Sequence, residues 1–468
     1  MLLCEALARG ELPVDIRHLI DHGPMTGLQL RAVTFCFFLN MLDGIDILAI
    51  SFAAPLLSRE WGVEPATLGV VFSAALAGMM AGSMLLAPLG DVIGRRKLLT
   101  VALALIAVGM LGVMFASSVG ELLILRFVTG CGLGGVVPTM AAFAAELSPQ
   151  RHRSFAVTLV QGGYPLGATI TGLLATWMLP SFGWQSLFVL GGVVTLLSLP
   201  FVFVLLPESP EFLLSRQPPG ALQRINRIMR GMGQAEIAAL PSTAIGSDAR
   251  GLAQIVAALR KLFSTDHRVD TLLLWVAFFM SLLTLYFLQN WVPQLVANSG
   301  QTDSQAFSAG TILNLGLFVG MASVGYFADH FGLRRVIAIY LAATALALLS
   351  FSYLQGATAV AIGLGVAGTM QGGFIGLYAV GARIYPAAIR ITGIGWAIGV
   401  ARLGAVLGPY VAGVLVAGGM GMAGSFLVFA IPLAIAAIAV SSMRSPELSA
   451  GSRVVSGAKK PVRATPRT

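Results

Sequence analysis

Apolar runs of about twenty residues recur along this chain, separated by short polar breaks. The length of these runs is the first clue to the fold. An α-helix rises about 1.5 Å per residue, so about 20 apolar residues cross the roughly 30 Å of hydrocarbon in a bilayer. The pattern predicts twelve membrane-crossing helices near 30–57, 66–89, 98–116, 120–145, 154–178, 184–206, 269–292, 305–327, 334–354, 357–381, 390–415 and 420–442. One break is different in kind. Residues 207–268 hold PESPEF, the proline-rich RQPPG and two polar, helix-like pieces, ALQRINRIMRG and LAQIVAALRKLF. The expected division is a segment 1–29, a six-helix half 30–206, a linker 207–268, a second half 269–442 and a basic tail 443–468.

Composition agrees. Hydrophobic residues make up 57% of the chain and charged residues 10%, where a soluble domain carries about 25% charged. The fold class expected is an all-α polytopic membrane protein. The charge of +9 is explained by placement. Arg95, Arg96 and Lys97, Arg151 and Arg153, the linker, Arg334 and Arg335, Arg383 and Arg390, and the tail fall on one side if the spans alternate. The opposite loops hold almost only Arg59. Lysine and arginine mark the cytoplasmic side, so both termini are expected there, and nucleic acid is not an expected partner. Residues 1–28 mix both signs of charge, which predicts that the first run is kept as a span rather than cleaved as a signal. Cys4, Cys36 and Cys131 are odd in number and far apart, so neither a disulfide framework nor a metal site is expected. No cofactor is expected either.

The two halves repeat. Asp91 recurs as Asp329, Gly94 as Gly332 and Arg96 as Arg334 at one offset. Pro149 recurs as Pro386, Arg153 as Arg390 and Gly167 as Gly404 at an offset one residue shorter. Duplicated membrane halves commonly rock about a site at mid-membrane, which points to a transporter.

Several stretches resemble known transporters. GDVIGRRKL is similar to the D-x-x-G-R-R-K signature of the major facilitator superfamily, RFVTGCGLGG to its R-x-x-x-G-x-G element, and PESPEF to its linker sequence. More narrowly, DGIDILAISFAAPLL and IYPAAIRITGIGWAIGVARLGAVLGP resemble the first and eleventh spans of the aromatic acid:proton symporter family. Three positions depart from the superfamily pattern: Ala87, Gly90 and Leu333. The resemblance implies uptake of a small aromatic carboxylate together with protons, across the bilayer of a bacterial inner membrane, by a monomer.

Buried charges carry the chemistry. Asp43 and Asp46 lie within the first span, where an isolated charge costs about 2.5–3.5 kcal/mol. At a spacing of three they share part of one helix face, and Gly44 between them removes bulk, which would permit a locally loosened helix or the close approach of a ligand. Two carboxylates so close disfavour double ionisation, which suits a proton carrier. The alternatives are a loop at 43–46 or a static polar anchor. Arg126 and Arg402 lie inside spans four and eleven. A guanidinium stays charged, so each must be paired or kept for an anion. Arg126 is expected in proton coupling and Arg402 on the substrate carboxylate, a position the resemblance also favours.

Tyr286, Asn290, Gln161, Asn314, Gln371 and Trp396 are the other expected substrate contacts, with Tyr164 and Tyr378 similar to them. Trp291 reads as a residue of the interfacial belt. Asp91, Arg95, Arg96, Glu146, Arg153, Asp329, Arg334 and Arg390 read either as ordinary cytoplasmic charge or as a gate between halves; the resemblance favours a gate. An exporter, or a carrier of sugars or other acids, would share this fold. An intramembrane aspartyl protease would need carboxylates facing each other from different helices, and here both lie on one.

Overall fold

The computed structural model describes residues 16–240, 261–264, 267–351, 353–354, 356–385 and 387–444. The first fifteen residues with Cys4, most of the LAQIVAALRKLF piece, Pro386 and residues 445–468 of the basic tail lie outside the described residues.

Long apolar runs leave the backbone no partner in hydrocarbon except itself, so they close into helices. All regular structure among the described residues is helical. The first six long helices are α1 (Gly27–Trp61), α2 (Pro65–Ile93), α3 (Arg95–Phe115), α4 (Val119–Leu147), α5 (Arg153–Phe182) and α6 (Ser186–Leu205). The second six are α7 (Arg268–Asn298), α8 (Asp303–Phe331), α9 (Leu333–Ser350), α10 (Ala357–Ile384), α11 (Ala387–Ala417) and α12 (Met422–Ser441). Eleven helices among the described residues are apolar and long enough to cross a membrane. α5 has the length, at 30 residues, but Gln161, Tyr164 and Pro165 at its centre dilute its apolar character. Between α6 and α7, ALQRINRIMRG forms the short helix Ala221–Gly231, and another covers Pro210–Arg216.

α1 runs unbroken through Asp43 and Asp46, which removes the loop reading. Gly44 faces α5: a β-carbon there would collide with the Tyr164 carbonyl and lie 2.9 Å from the Ala168 nitrogen. The missing side chain therefore admits a neighbouring backbone, not a ligand.

The internal repeat extends to backbone detail. Gly94 has φ +100° and Gly332 φ +88°, a region that glycine enters without strain. Two residues on, Arg96 Nη1 donates to the Leu206 carbonyl at 3.5 Å and Arg334 Nη1 to the Met443 carbonyl at 2.7 Å. Leu206 and Met443 each follow the last helix of a six-helix group, where carbonyls lack helical partners. Equivalent arginines thus close equivalent helix ends.

The groups meet along three helix pairs. α2 packs on α11, α5 on α8 and α1 on α7. These contacts enclose a cavity at mid-depth.

Candidate functional site

The cavity takes one wall from each group. Asn40 and Asp43 of α1 and Gln161 and Tyr164 of α5 form one side; Tyr286 of α7, Phe374 and Tyr378 of α10 and Arg402 of α11 form the other. Met79 of α2 reaches across and touches the Arg402 guanidinium through its sulfur. Leu282, Leu285, Leu317 and Ile398 supply apolar surface. The cavity thus combines one cation, one acid and several rings.

The two aspartates do different things. Asp46 is fully buried and its Oδ1 accepts from Arg126 Nη1 at 2.8 Å, while Arg126 Nη2 donates to the Asp46 carbonyl at 3.2 Å. The Phe188 ring lies 5.5 Å from this guanidinium. Asp46 and Arg126 therefore pair with each other and join α1 to α4, although Asp46 Oδ2 and Arg126 Nε have no partner among the described residues; neither residue lines the cavity. Asp43, a turn earlier, lines it, and its Oδ1 has no hydrogen-bond partner among the described residues. Asp43 and Arg402 share the cavity without forming an ion pair. An arginine without a carboxylate can take one from a ligand through its planar fork, and an unpaired buried carboxyl can hold a proton.

Polar residues behind the wall tie the groups together. Tyr164 donates its hydroxyl to Gln289 Oε1 at 2.8 Å, and Gln289 Nε2 donates to Asn314 Oδ1 at 3.1 Å. Ser51 donates to the Gln289 carbonyl at 2.7 Å, and Ser73 to that of Val406 at 2.7 Å. Towards the loops that hold almost no basic residues, Phe72 packs edge-on to Trp291 at 5.4 Å and Phe52 to Phe307 at 6.3 Å. At that end Arg59 holds Asp303 by two hydrogen bonds of 2.9 and 2.8 Å. These contacts seal the cavity from the non-basic end.

The basic end differs. Arg95 contacts Glu146 and lies 3.6 Å from both Asp91 and Glu211. Glu208 of PESPEF accepts from the Arg96 amide at 3.0 Å, and Ser209 donates to Glu146 at 2.5 Å. Arg153 contacts Asp21 and donates to the Ala145 carbonyl at 3.0 Å. Arg390 donates to the Tyr385 carbonyl at 3.2 Å, and Asp329 is exposed. Among the described residues, no ion pair at this end joins the two groups. The cavity lining reaches Val137 and Met321, in the basic-end halves of α4 and α8, so the cavity extends towards the basic loops.

Four expected substrate contacts lie elsewhere. Trp396 is 46% exposed on the outer face and stacks on Trp275 at 6.2 Å, so it points away from the cavity. Asn290 Nδ2 donates to the Tyr286 carbonyl, Asn314 Nδ2 to that of Gly310 and Gln371 Nε2 to that of Ser281. Each is buried by interhelical or intrahelical bonding behind the wall. Trp291 is not an interfacial residue: it is fully buried and donates to the Pro409 carbonyl at 2.9 Å. Asn40, Met79 and Phe374 were not anticipated. Asn40 had a signal, since it lies three residues before Asp43 on the same helix face. Among the described residues no cluster of three or more His, Cys, Asp or Glu is placed to hold a metal ion.

Residues 36–368 and 274–466 match the Major Facilitator Superfamily. A gallate transporter of Pseudomonas putida is 32% identical, with 92% of this chain and 95% of that protein aligned. A 4-hydroxybenzoate transporter of the same organism is 34% identical over 91% of this chain and 95% of its own. A benzoate transport protein of Acinetobacter baylyi is 30% identical over 91% and 92%. The fold matches the xylose transporter of E. coli in a partially occluded inward-open conformation, with TM-score 0.70, 18% identity and coverage of 88% of this chain and 97% of that one.

Proposed function

We propose, because the chain belongs to the major facilitator superfamily and within it to the aromatic acid transporters, that it takes up a small aromatic carboxylate together with protons by alternating access. The chain is a multi-pass membrane transporter and not an enzyme, as its relatives are. The observation that carries the finer reading is a single cavity in which Asp43 faces Arg402 among Tyr164, Tyr286 and Tyr378. In the empty carrier, ionised Asp43 offsets the charge of Arg402 across the cavity. A substrate carboxylate takes over the guanidinium, and Asp43 then takes a proton. The loaded site is neutral, which lowers the cost of enclosing it. An intramembrane arginine also favours an anion over a sugar.

The rest of the reading follows from charge placement. The basic loops, both termini and the 207–268 linker lie in the cytoplasm of a bacterial cell, with the protein in its inner membrane. The halves 30–206 and 269–442 rock against each other, and one copy of the chain suffices. The basic-end cluster of Asp91, Arg95, Arg96, Glu146, Arg153, Asp329, Arg334 and Arg390 closes the cavity on that side in the opposite state.

Purified protein in proteoliposomes tests this reading. Radiolabelled 4-hydroxybenzoate or benzoate should accumulate when the outside is acidic, and a protonophore should abolish the accumulation. Uptake that ignores both the gradient and the protonophore would refute proton coupling.

A further inference from the structure

Asn40 is 1% exposed and lines the cavity. Its amide is oriented by its surroundings: the Val160 carbonyl, an acceptor, takes a hydrogen bond from Nδ2 at 2.6 Å. An amide cannot present its oxygen to another acceptor, so Oδ1 must face the other way. Oδ1 has no partner among the described residues, nor has Oδ1 of Asp43. Buried polar atoms are almost always satisfied, and an orphan calls for a reason. Two orphaned acceptors stand one helical turn apart on the α1 wall, and the cation that receives the carboxylate is on the α11 wall. A single-ring acid held at Arg402 therefore directs its far edge away from α11. Of the two other polar groups on that wall, the Tyr164 hydroxyl already donates to Gln289, and Gln161 is only partly buried, so its amide is not held to one orientation as that of Asn40 is.

We infer that Asn40 determines specificity, its side-chain oxygen accepting a hydrogen bond from a ring hydroxyl of the bound acid. The inference rests on the aromatic-acid reading above and deepens it. An amide oxygen accepts and does not donate, so it distinguishes a phenol from an unsubstituted ring and also from an aryl methyl ether. Asp43 is reserved for the proton, which separates the two acceptors by task.

The test is competitive uptake of benzoate, 3-hydroxybenzoate, 4-hydroxybenzoate and 4-methoxybenzoate in proteoliposomes, in wild type and Asn40→Ala. Wild type should favour at least one hydroxybenzoate over benzoate by about tenfold, with no gain for the methoxy acid. Asn40→Ala should lose the preference, taking up benzoate and the hydroxybenzoates with equal affinity; saturable benzoate uptake, at whatever rate, shows that the variant is folded. Should the alanine variant not be recovered, Asn40→Leu removes the amide oxygen while keeping the side-chain volume, and it should lose the preference likewise. Equal affinity of wild type for all four acids would overturn the inference but leave aromatic-acid transport standing. So would a preference that survives loss of the amide. No uptake of any of the acids by wild type would remove the transport reading and this inference with it.

Discussion

Asp43 and Asp46 are three residues apart, yet one is bound to an arginine and the other faces a cavity. Their roles should separate on mutation. Removing one partner of a buried pair leaves the other charge uncompensated, at a cost of about 3–5 kcal/mol. Asp46→Asn and Arg126→Ala should therefore lower thermal stability in detergent sharply, as followed by monodispersity on size exclusion. Asp43→Asn should unfold with the wild type. Equal stability of all three would mean that the Asp46–Arg126 pair is not what holds α1 to α4. Arg402→Lys keeps the charge but loses the fork, so the KM for an aromatic acid should rise about tenfold or more while the protein stays folded. At this scale the sequence singled out Asp43, Asp46, Arg126 and Arg402 as charges inside long apolar helices but could not assign partners. Helix rotation, set by packing against α4 and α5, decides which carboxylate meets which arginine. The one signal for Asn40 is its place on the Asp43 face; a lone amide beside two acids adds little of its own.

Packing between elements explains several features that hydropathy alone leaves blank. α5, the least apolar of the long helices, is held against α1 by close backbone approach at Gly44 and Gly167. A larger residue at Gly44 meets the α5 main chain, which cannot move aside as a side chain can. Gly44→Leu should yield little folded protein on fluorescence-detected size exclusion, whereas the same change at Gly399, which has open space around it, should be tolerated. Recovery of Gly44→Leu at wild-type yield would contradict the packing account. The amides of α7, α8 and α10 were ambiguous in sequence for the same reason. Asn290, Asn314 and Gln371 look like ligand contacts on a helical wheel but spend their donors on carbonyls behind the wall. Trp396 and Trp291 both leave their expected places, one to the outer face and the other to the interior, because a wheel does not say which face meets a neighbouring helix. The paired roles of Arg96 and Arg334 at helix ends were legible only as a repeated spacing.

Across the whole molecule, the twelve-helix pattern and the twofold repeat were plain in sequence, because span length and charge asymmetry are set by the bilayer itself. The conformational state was not, since it depends on which contacts join the groups. In this structure they lie from the cavity to the non-basic end, where Arg59 and Asp303 close the seam. The pair is partly exposed, so it contributes at most about 1 kcal/mol, enough to shift a two-state population up to about fivefold. Arg59→Ala should raise labelling of a cysteine placed at Ser51 by an impermeant maleimide added from the non-basic side, in an otherwise cysteine-free background. Unchanged labelling would show that the pair does not bias the gate. The central claim is that Asp43 carries the coupled proton while Arg402 holds the acid. It is tested most directly by comparing exchange with accumulation of 4-hydroxybenzoate in proteoliposomes bearing Asp43→Asn. The account predicts that the variant still exchanges internal for external substrate but no longer accumulates it against an imposed pH gradient. Gradient-driven accumulation at the wild-type level would contradict it.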